Sequence, residues 1–362
     1  MPRLRTILTL ILVSVLFTGC FGRKKYENPI DADTAQPDKI LFDKAINDME
    51  RGRYRIARLT LQTLINTYDT SEFMAKAKLA LADSWFREGG SSGLAQAEAE
   101  YKDFILFYPT LEEAAEAQSR VCMIHYRQME KADRDPTHAI RADDECRSLM
   151  AQFPNSRFAP EMEQRLREIQ EVIAESEYGV GSFYFKKGSY APAANRLDAL
   201  VNQYPLFSLA DEALWKLGES YSRMGPRMRN RSVDAFQRIV RDYPLSAYAE
   251  QAKQRLRSLE QEIPEPDPVA LARMEYELEN REKRGFFGSA FGIFSKRPYT
   301  GAAAKSGAPA QTTLRPSLPA NVPGAVSETG EFAADVTVST VSDNSALDTK
   351  PDARTNPPNP NQ

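Results

Sequence analysis

The stretch GSYAPAANRLDALVNQYP, residues 188–205, decides the fold. Gly188 marks a tight turn, Tyr190 sets an aromatic near a helix start, and Ala193 is small. Leu197 and Leu200 are core positions, and Tyr204-Pro205 closes the run. Apolar residues three or four apart give a helix one buried face. Proline then stops it, because it has no N–H to donate and disfavours helical backbone at the residue before it. The same spacing recurs as Gly52, Tyr54, Ala57, Leu61 and Leu64 ahead of Tyr68-Asp69.

Aromatic turns of this kind punctuate the chain at Tyr68-Asp69, Phe107-Tyr108-Pro109, Phe153-Pro154, Tyr204-Pro205 and Tyr243-Pro244, about 40, 45, 51 and 39 residues apart. These spacings exceed the roughly 34 residues of a minimal tetratricopeptide unit, whose pattern the segments otherwise resemble. The helix preceding the run carries an apolar–small–x–x–aromatic signature, seen in Leu81-Ala82…Trp85, Val180-Gly181…Tyr184 and Leu217-Gly218…Tyr221. The small residue lets two antiparallel helices approach, and the aromatic fills the space one turn on. From Pro160, suited to a first helical turn, Met162, Leu166, Ile169, Ile173, Val180 and Tyr184 line one predicted buried face. No alternating strand pattern precedes residue 330. The expected fold is all-α: a superhelical array of about five tetratricopeptide-like helix pairs over residues 37–262, with a disordered C-terminal tail. Such arrays present a concave face suited to an extended peptide.

With 362 residues, 42% of them hydrophobic, the chain can bury a sizeable core, and its net charge of −3 gives no electrostatic case for nucleic acid. Residues 1–19 read as a lipoprotein signal peptide. Arg3 and Arg5 precede the apolar run Ile7–Phe17, too short for a transmembrane helix of roughly 20 residues and apt for a secretory signal. Phe17-Thr18-Gly19-Cys20 resembles a bacterial lipobox, with Phe17 where leucine is usual. Cys20 is therefore the expected lipidation site, palmitoylated and anchoring the chain to the membrane. Residues 20–36 are polar and read as a tether. By analogy with enterobacterial sorting, Phe21 rather than an acidic residue after the cysteine favours the outer membrane, on its periplasmic face.

At the other end, Pro264, Pro266 and Pro268 end the repeats. Residues 263–299 hold a charged helix predicted near 269–284 and the Gly/Phe-rich run 285–294, flanked by Arg281, Lys283, Arg284, Lys296 and Arg297. That run reads equally as a membrane-inserting patch, a partner-docking element or a cap on the last repeat. Residues 300–362 are rich in Ala, Pro, Ser, Thr and Asn, so disorder is expected there.

No motif supplies chemistry. Gly89-Gly90-Ser91-Ser92-Gly93 fits the nucleophile-elbow pattern, but it falls between two helices and reads as a flexible turn. His125 and His138 have no partners at metal-ligand spacing. Catalytic residues, metal and cofactor are all expected to be none, and the chain is not expected to be an enzyme. Cys122 and Cys146 fall on facing helices of the third repeat, either bridged, as an oxidising periplasm permits, or two small buried apolar residues.

The phrases Asp133-Arg134-Asp135-Pro136, Phe153-Pro154-Asn155-Ser156, Glu177-Tyr178, Asn195-Arg196 and Tyr204-Pro205, with the lipobox and a long middle helix, resemble the BamD family of the outer-membrane β-barrel assembly machine. The resemblance covers about residues 36–262 and leaves out the tail. It implies a lipoprotein scaffold that binds the POTRA region of BamA beside other assembly-machine lipoproteins and receives unfolded outer-membrane β-barrel precursors. It implies Arg196 as a BamA contact, with pairing to Asp198 or Glu177 as the structural alternative. Tyr54, Trp85 and Tyr101 are the candidate precursor anchors. The alternative function is that of a periplasmic tetratricopeptide lipoprotein coordinating cell division or peptidoglycan synthesis.

Overall fold

The computed structural model describes residues 35–281 and 296–312, so Cys20, the tether and the Gly/Phe-rich run lie outside the described residues. Ten helices form five consecutive pairs: α1 (Pro37–Glu50) with α2 (Tyr54–Thr67), α3 (Met74–Glu88) with α4 (Gly90–Phe107), α5 (Glu112–Gln128) with α6 (Thr137–Gln152), α7 (Ala159–Lys186) with α8 (Tyr190–Gln203), and α9 (Ala210–Arg223) with α10 (Arg229–Asp242). Helix α11 (Ala249–Ser258) follows, then α12 (Pro268–Asn280). From α1 to α11 each helix packs on the next in the chain, as an array of helix pairs requires. Among the described residues there is no strand, and no helix is long and apolar enough to cross a membrane.

The second helix of every pair stops one residue before its aromatic. Tyr68, Tyr108, Phe153, Tyr204 and Tyr243 share one backbone conformation, φ between −124 and −135° and ψ between 51 and 67°. Each donates its N–H to the carbonyl four residues back, completing the last helical bond. Each then accepts at its own carbonyl from the N–H three residues on, namely Ser71, Leu111, Ser156, Phe207 or Ser246. Those residues in turn accept from Met74, Ala114, Ala159, Ala210 and Ala249, in the first turn of the next helix. All five connections therefore have the same length and register. Proline after the aromatic excludes helical backbone at four of them; Asp69 occupies that place in the first. Side chains then fasten the turns. Ser71 Oγ donates to Asp38 Oδ2 at 2.7 Å, Ser246 Oγ to Asp211 Oδ2 at 2.6 Å, and Tyr243 Oη to the Pro205 carbonyl at 2.7 Å.

The small residues of the first helices sit where backbones meet. A Cβ on Gly181 would lie 2.8 Å from Leu197 Cδ2, and one on Gly218 would lie 2.6 Å from Phe236 Cε1. Ala82 is completely buried. The core divides into a cluster around Leu41, Leu61, Leu64 and Leu81, a second around Phe86, Tyr101 and Phe104, and a large one running from Cys122 to Leu256.

Three details depart from the sequence reading. Val180, expected on the buried face of α7, is 40% exposed. Helix α7 is 28 residues long; its first half buries Met162, Leu166, Ile169 and Ile173, whereas its second half turns Gly181 and Ser182 toward α8, so the buried face rotates when the packing partner changes. The glycine–serine segment is not a flexible loop: Gly89 and Gly90 make the turn with φ of 73° and 72°, and Ser91 to Gly93 already belong to α4. Residues 300–312 of the expected disordered tail are seated on the array, with Ala303, Ala304 and Pro309 buried. Composition read them as disordered because they have little apolar surface of their own; backbone hydrogen bonds to α7 hold them instead. The charged helix predicted near 269–284 is α12, started by Pro268 and capped by Asp267, whose carboxylate accepts from Val269 N at 3.0 Å.

Gly218→Ala tests the close approach. Helix propensity alone would favour alanine by about 1 kcal/mol, whereas overpacking against Phe236 costs about 1–3 kcal/mol. Urea unfolding is expected to show net destabilisation, partly recovered by adding Phe236→Leu; a more stable single variant would contradict the packing.

Candidate functional site

Surface groups that can meet a partner gather in three places. On the first two pairs, Tyr54 begins α2 half-buried, and Ile56 and Leu59 stand exposed one turn apart. The Arg58 guanidinium lies 3.6 Å from the centre of the Trp85 ring and bonds Glu88 at 2.6 Å, so one indole face is covered by a cation. Trp85 is half-buried. Tyr101 is different: it is fully buried, meets Phe86 edge-on with centroids 6.2 Å apart, and donates its hydroxyl to Asp83. Burial raises the Asp83 pKa above the ordinary carboxylate value. The structure thus replaces the reading of Tyr101 as a precursor anchor with a packing role, because its helix turns the ring into the second pair's core.

The second place is the end of α4, where Leu106 and Phe107 are 73% and 63% exposed just before Tyr108-Pro109, with Lys78 Nζ 4.6 Å from the centre of the Phe107 ring. Sequence reading passed over this pair because it counted Phe107 as part of the turn. An apolar residue off the helix's buried face was the available signal.

The third is the second half of α7 and the start of α8. Arg196 Nη1 lies 3.2 Å from Glu177 Oε2, and both side chains are about half exposed, at 53% and 41%. Of the two acidic neighbours expected for it, Glu177 is the one it meets. An exposed pair of this kind contributes little to stability, about 0–1 kcal/mol, so Arg196 is free to exchange partners. Val180 and Phe183 are exposed further along α7, Phe183 at 56%. Lys216 joins the polar edge nearby, bonding Glu212 at 2.8 Å and Ser182 Oγ at 3.1 Å and accepted by the Tyr178 hydroxyl.

Between the second and third pairs the structure assembles a polar cluster from three helices. Lys102 Nζ bonds both Glu98 and Glu145 at 2.8 Å, His125 Nε2 lies 3.3 Å from Glu98, and the Nδ1 atoms of His125 and His138 are 3.3 Å apart. Burial lowers the His125 pKa below its ordinary value. Glu98, His125 and Glu145 are placed closely enough to hold a metal ion, but the Lys102 ammonium already supplies positive charge between the two carboxylates. Linear spacing gave no sign of the cluster, because its members come from α4, α5 and α6.

Cys122 on α5 and Cys146 on α6 are joined by a disulfide, with Cα atoms 5.1 Å apart and a sequence separation of 24. Glu171, deep in α7, accepts from Ser208 N at 3.0 Å, and burial pushes its pKa up to about 7.

Stacked helix pairs with exposed aromatic and charged edges define the class: a tetratricopeptide-like scaffold. Residues 34–234 match the YfiO family, described as outer membrane lipoprotein, and the chain belongs to that family, the one in which BamD proteins fall. An outer membrane protein assembly factor BamD from Xylella fastidiosa (strain 9a5c) is 25% identical over 246 residues, covering 65% of this chain and 82% of that protein. The BamD of Rickettsia prowazekii is 25% identical over 227 residues, covering 62% and 86%. That of Neisseria meningitidis serogroup A is 20% identical over 261 residues, covering 69% and 96%.

Two measurements follow from the buried groups. Replacing both cysteines by alanine is expected to cost about 3 kcal/mol, from a constrained loop of this length; unchanged urea unfolding with and without reductant would contradict the bridge. The raised pKa of Glu171 means its contribution to stability is complete below the unfolded value of 4.5 and is lost as pH rises through about 7. Glu171→Gln is expected to unfold at higher temperature than the unsubstituted chain at pH 8 and at nearly the same temperature at pH 4.5. Parallel curves across that range would sink the assignment.

Proposed function

We propose that the chain is an outer-membrane protein assembly factor. It is anchored through lipidated Cys20 to the periplasmic face of the outer membrane, binds the POTRA region of BamA together with other assembly-machine lipoproteins, and receives unfolded β-barrel precursors. The observation that carries the reading is the family match across residues 34–234, supported by relatives that are named outer membrane protein assembly factors. The work is physical rather than catalytic: the scaffold holds extended or partly folded chains and passes them on, and no residue takes a chemical role. No metal or cofactor enters it.

Tyr54 and Trp85, half-buried at neighbouring helix starts and ends, serve as precursor contacts, with Ile56 and Leu59 extending the apolar surface. Arg196 serves as the BamA contact. Its pair with Glu177 is solvent-exposed, so exchanging that carboxylate for one on a partner costs little in desolvation.

Affinity purification from detergent-solubilised membranes tests this. The tagged full-length chain is expected to recover BamA. Arg196→Ala is expected to reduce that recovery several-fold while shifting unfolding stability by no more than about 0.5 kcal/mol, and Glu177→Ala to leave recovery nearly intact. Recovery of peptidoglycan-synthesis proteins without BamA would sink the proposal.

A further inference from the structure

Residues 300–312 lie on the array as a peptide lies in a binding site. Three side chains of α7 at successive turns reach carbonyls three residues apart: Gln164 Nε2 donates to Ala304 O at 3.3 Å, Arg167 Nη1 to Gly307 O at 2.8 Å, and Gln170 Nε2 to Ala310 O at 2.8 Å. Gln170 Oε1 also accepts from Ala310 N at 3.0 Å, so this one amide pairs with both backbone groups of a residue, as a neighbouring strand would. From α12, the buried Glu277 carboxylate accepts from Lys305 N at 2.9 Å, Ser306 N at 2.8 Å and Ser306 Oγ at 2.8 Å. The segment thus runs alongside α7, in the same direction, with its backbone gripped from both sides.

The seat is organised by its own neighbours. Arg167 is held by Glu163 at 2.7 Å and by Gln164 Oε1 at 3.0 Å, and Gln170 is steered by Asp143 Oδ1 at 3.1 Å. It selects small residues: Ala303, Ala304 and Pro309 are buried, and Gly307 has a φ of 86°, with any Cβ falling 2.9 Å from Leu206 Cδ2. A cavity of about 120 Å³ remains beside Ala304, lined by Leu206, Phe207, Tyr243 and Met274 among others, so that position admits a side chain larger than methyl.

We propose that α7 and α12 form a peptide-binding site for an extended segment rich in Ala, Gly, Ser and Pro, recognised through its backbone, with the chain's own residues 300–312 as the resident occupant and a partner segment of the same chemistry as its competitor. Backbone recognition makes the site tolerant of sequence at the exposed positions of the segment, while Gly307 and the buried Ala303 and Pro309 restrict what can sit there. A covalently joined occupant has an effective concentration near the millimolar range, so a free peptide enters only when the tail is loosened. This rests on the geometry of the seat and not on the assignment to barrel assembly.

The probe is a fluorescein-labelled synthetic peptide of residues 298–312, titrated by anisotropy against the full chain and against full-chain Gly307→Val, which strains the tail and leaves the seat intact. Binding at least tenfold tighter to Gly307→Val than to the unsubstituted chain is expected, and adding Gln170→Ala is expected to remove it. Equal affinity for the two chains, or no binding to Gly307→Val, would overturn the proposal. Hydrogen exchange on the unsubstituted chain gives an independent reading: the amides of Lys305, Ser306 and Ala310 are expected to be protected, and exchange at free-peptide rates would also overturn it. Neither readout involves BamA, so loss of this site and loss of the assembly role are told apart.

Discussion

A single aromatic residue at the end of each second helix holds its backbone near φ −130° and ψ 55°, outside the helical region, while its N–H still closes the final helical bond. Everything downstream is phased by that choice. The carbonyl it frees is taken by the N–H three residues on, which in turn hands its carbonyl to the next helix, so the following pair begins at a fixed offset each time. Proline at the next position enforces the break by sterics. Tyr68-Asp69 achieves the same geometry without it, which shows that the hydrogen-bond relay, and not the ring of proline, defines the turn. Fixed phasing is why Gly181 and Gly218 fall where Leu197 and Phe236 need room: the small residue and the bulky one come from different helices but are set by one register.

This explains what could be read from the amino acids alone. Breaks imposed by proline and by close packing are local, written in a few adjacent residues, and repeated; five aromatic turns and the Leu197/Leu200 spacing therefore foretold an all-helical array of pairs. Features assembled from distant segments were not legible. Glu98, His125 and Glu145 carry no spacing signature because three helices contribute them. Tyr101 and Trp85 look alike as aromatics in an amphipathic helix, and only the rotation of each helix buries the first against Asp83 and leaves the second half-covered by Arg58. Nothing singles out Gln164, Arg167 and Gln170 in the sequence, and residues 300–312 read as disordered tail, because the energy of each lies in the other.

The structure also separates the groups that stabilise it from those left at the surface. Asp83, Glu171 and the Lys102 bridge tie neighbouring helices or turns together, and Glu171, buried beneath Ser208, is unavailable to a ligand without opening the array. The groups left at the surface are of another kind: single aromatics, the Leu106–Phe107 edge, and ion pairs such as Arg196–Glu177 whose partners exchange at little cost. A scaffold with rigid pairs and weakly committed edges suits the holding role proposed for it.

Assembly of outer-membrane barrels is the central claim, and depletion tests it most directly. With the chain placed under a repressible promoter, the amounts of folded outer-membrane barrel proteins are followed through time alongside septation. A fall in barrel proteins before any division defect is the predicted result; steady barrel levels while division fails would contradict it.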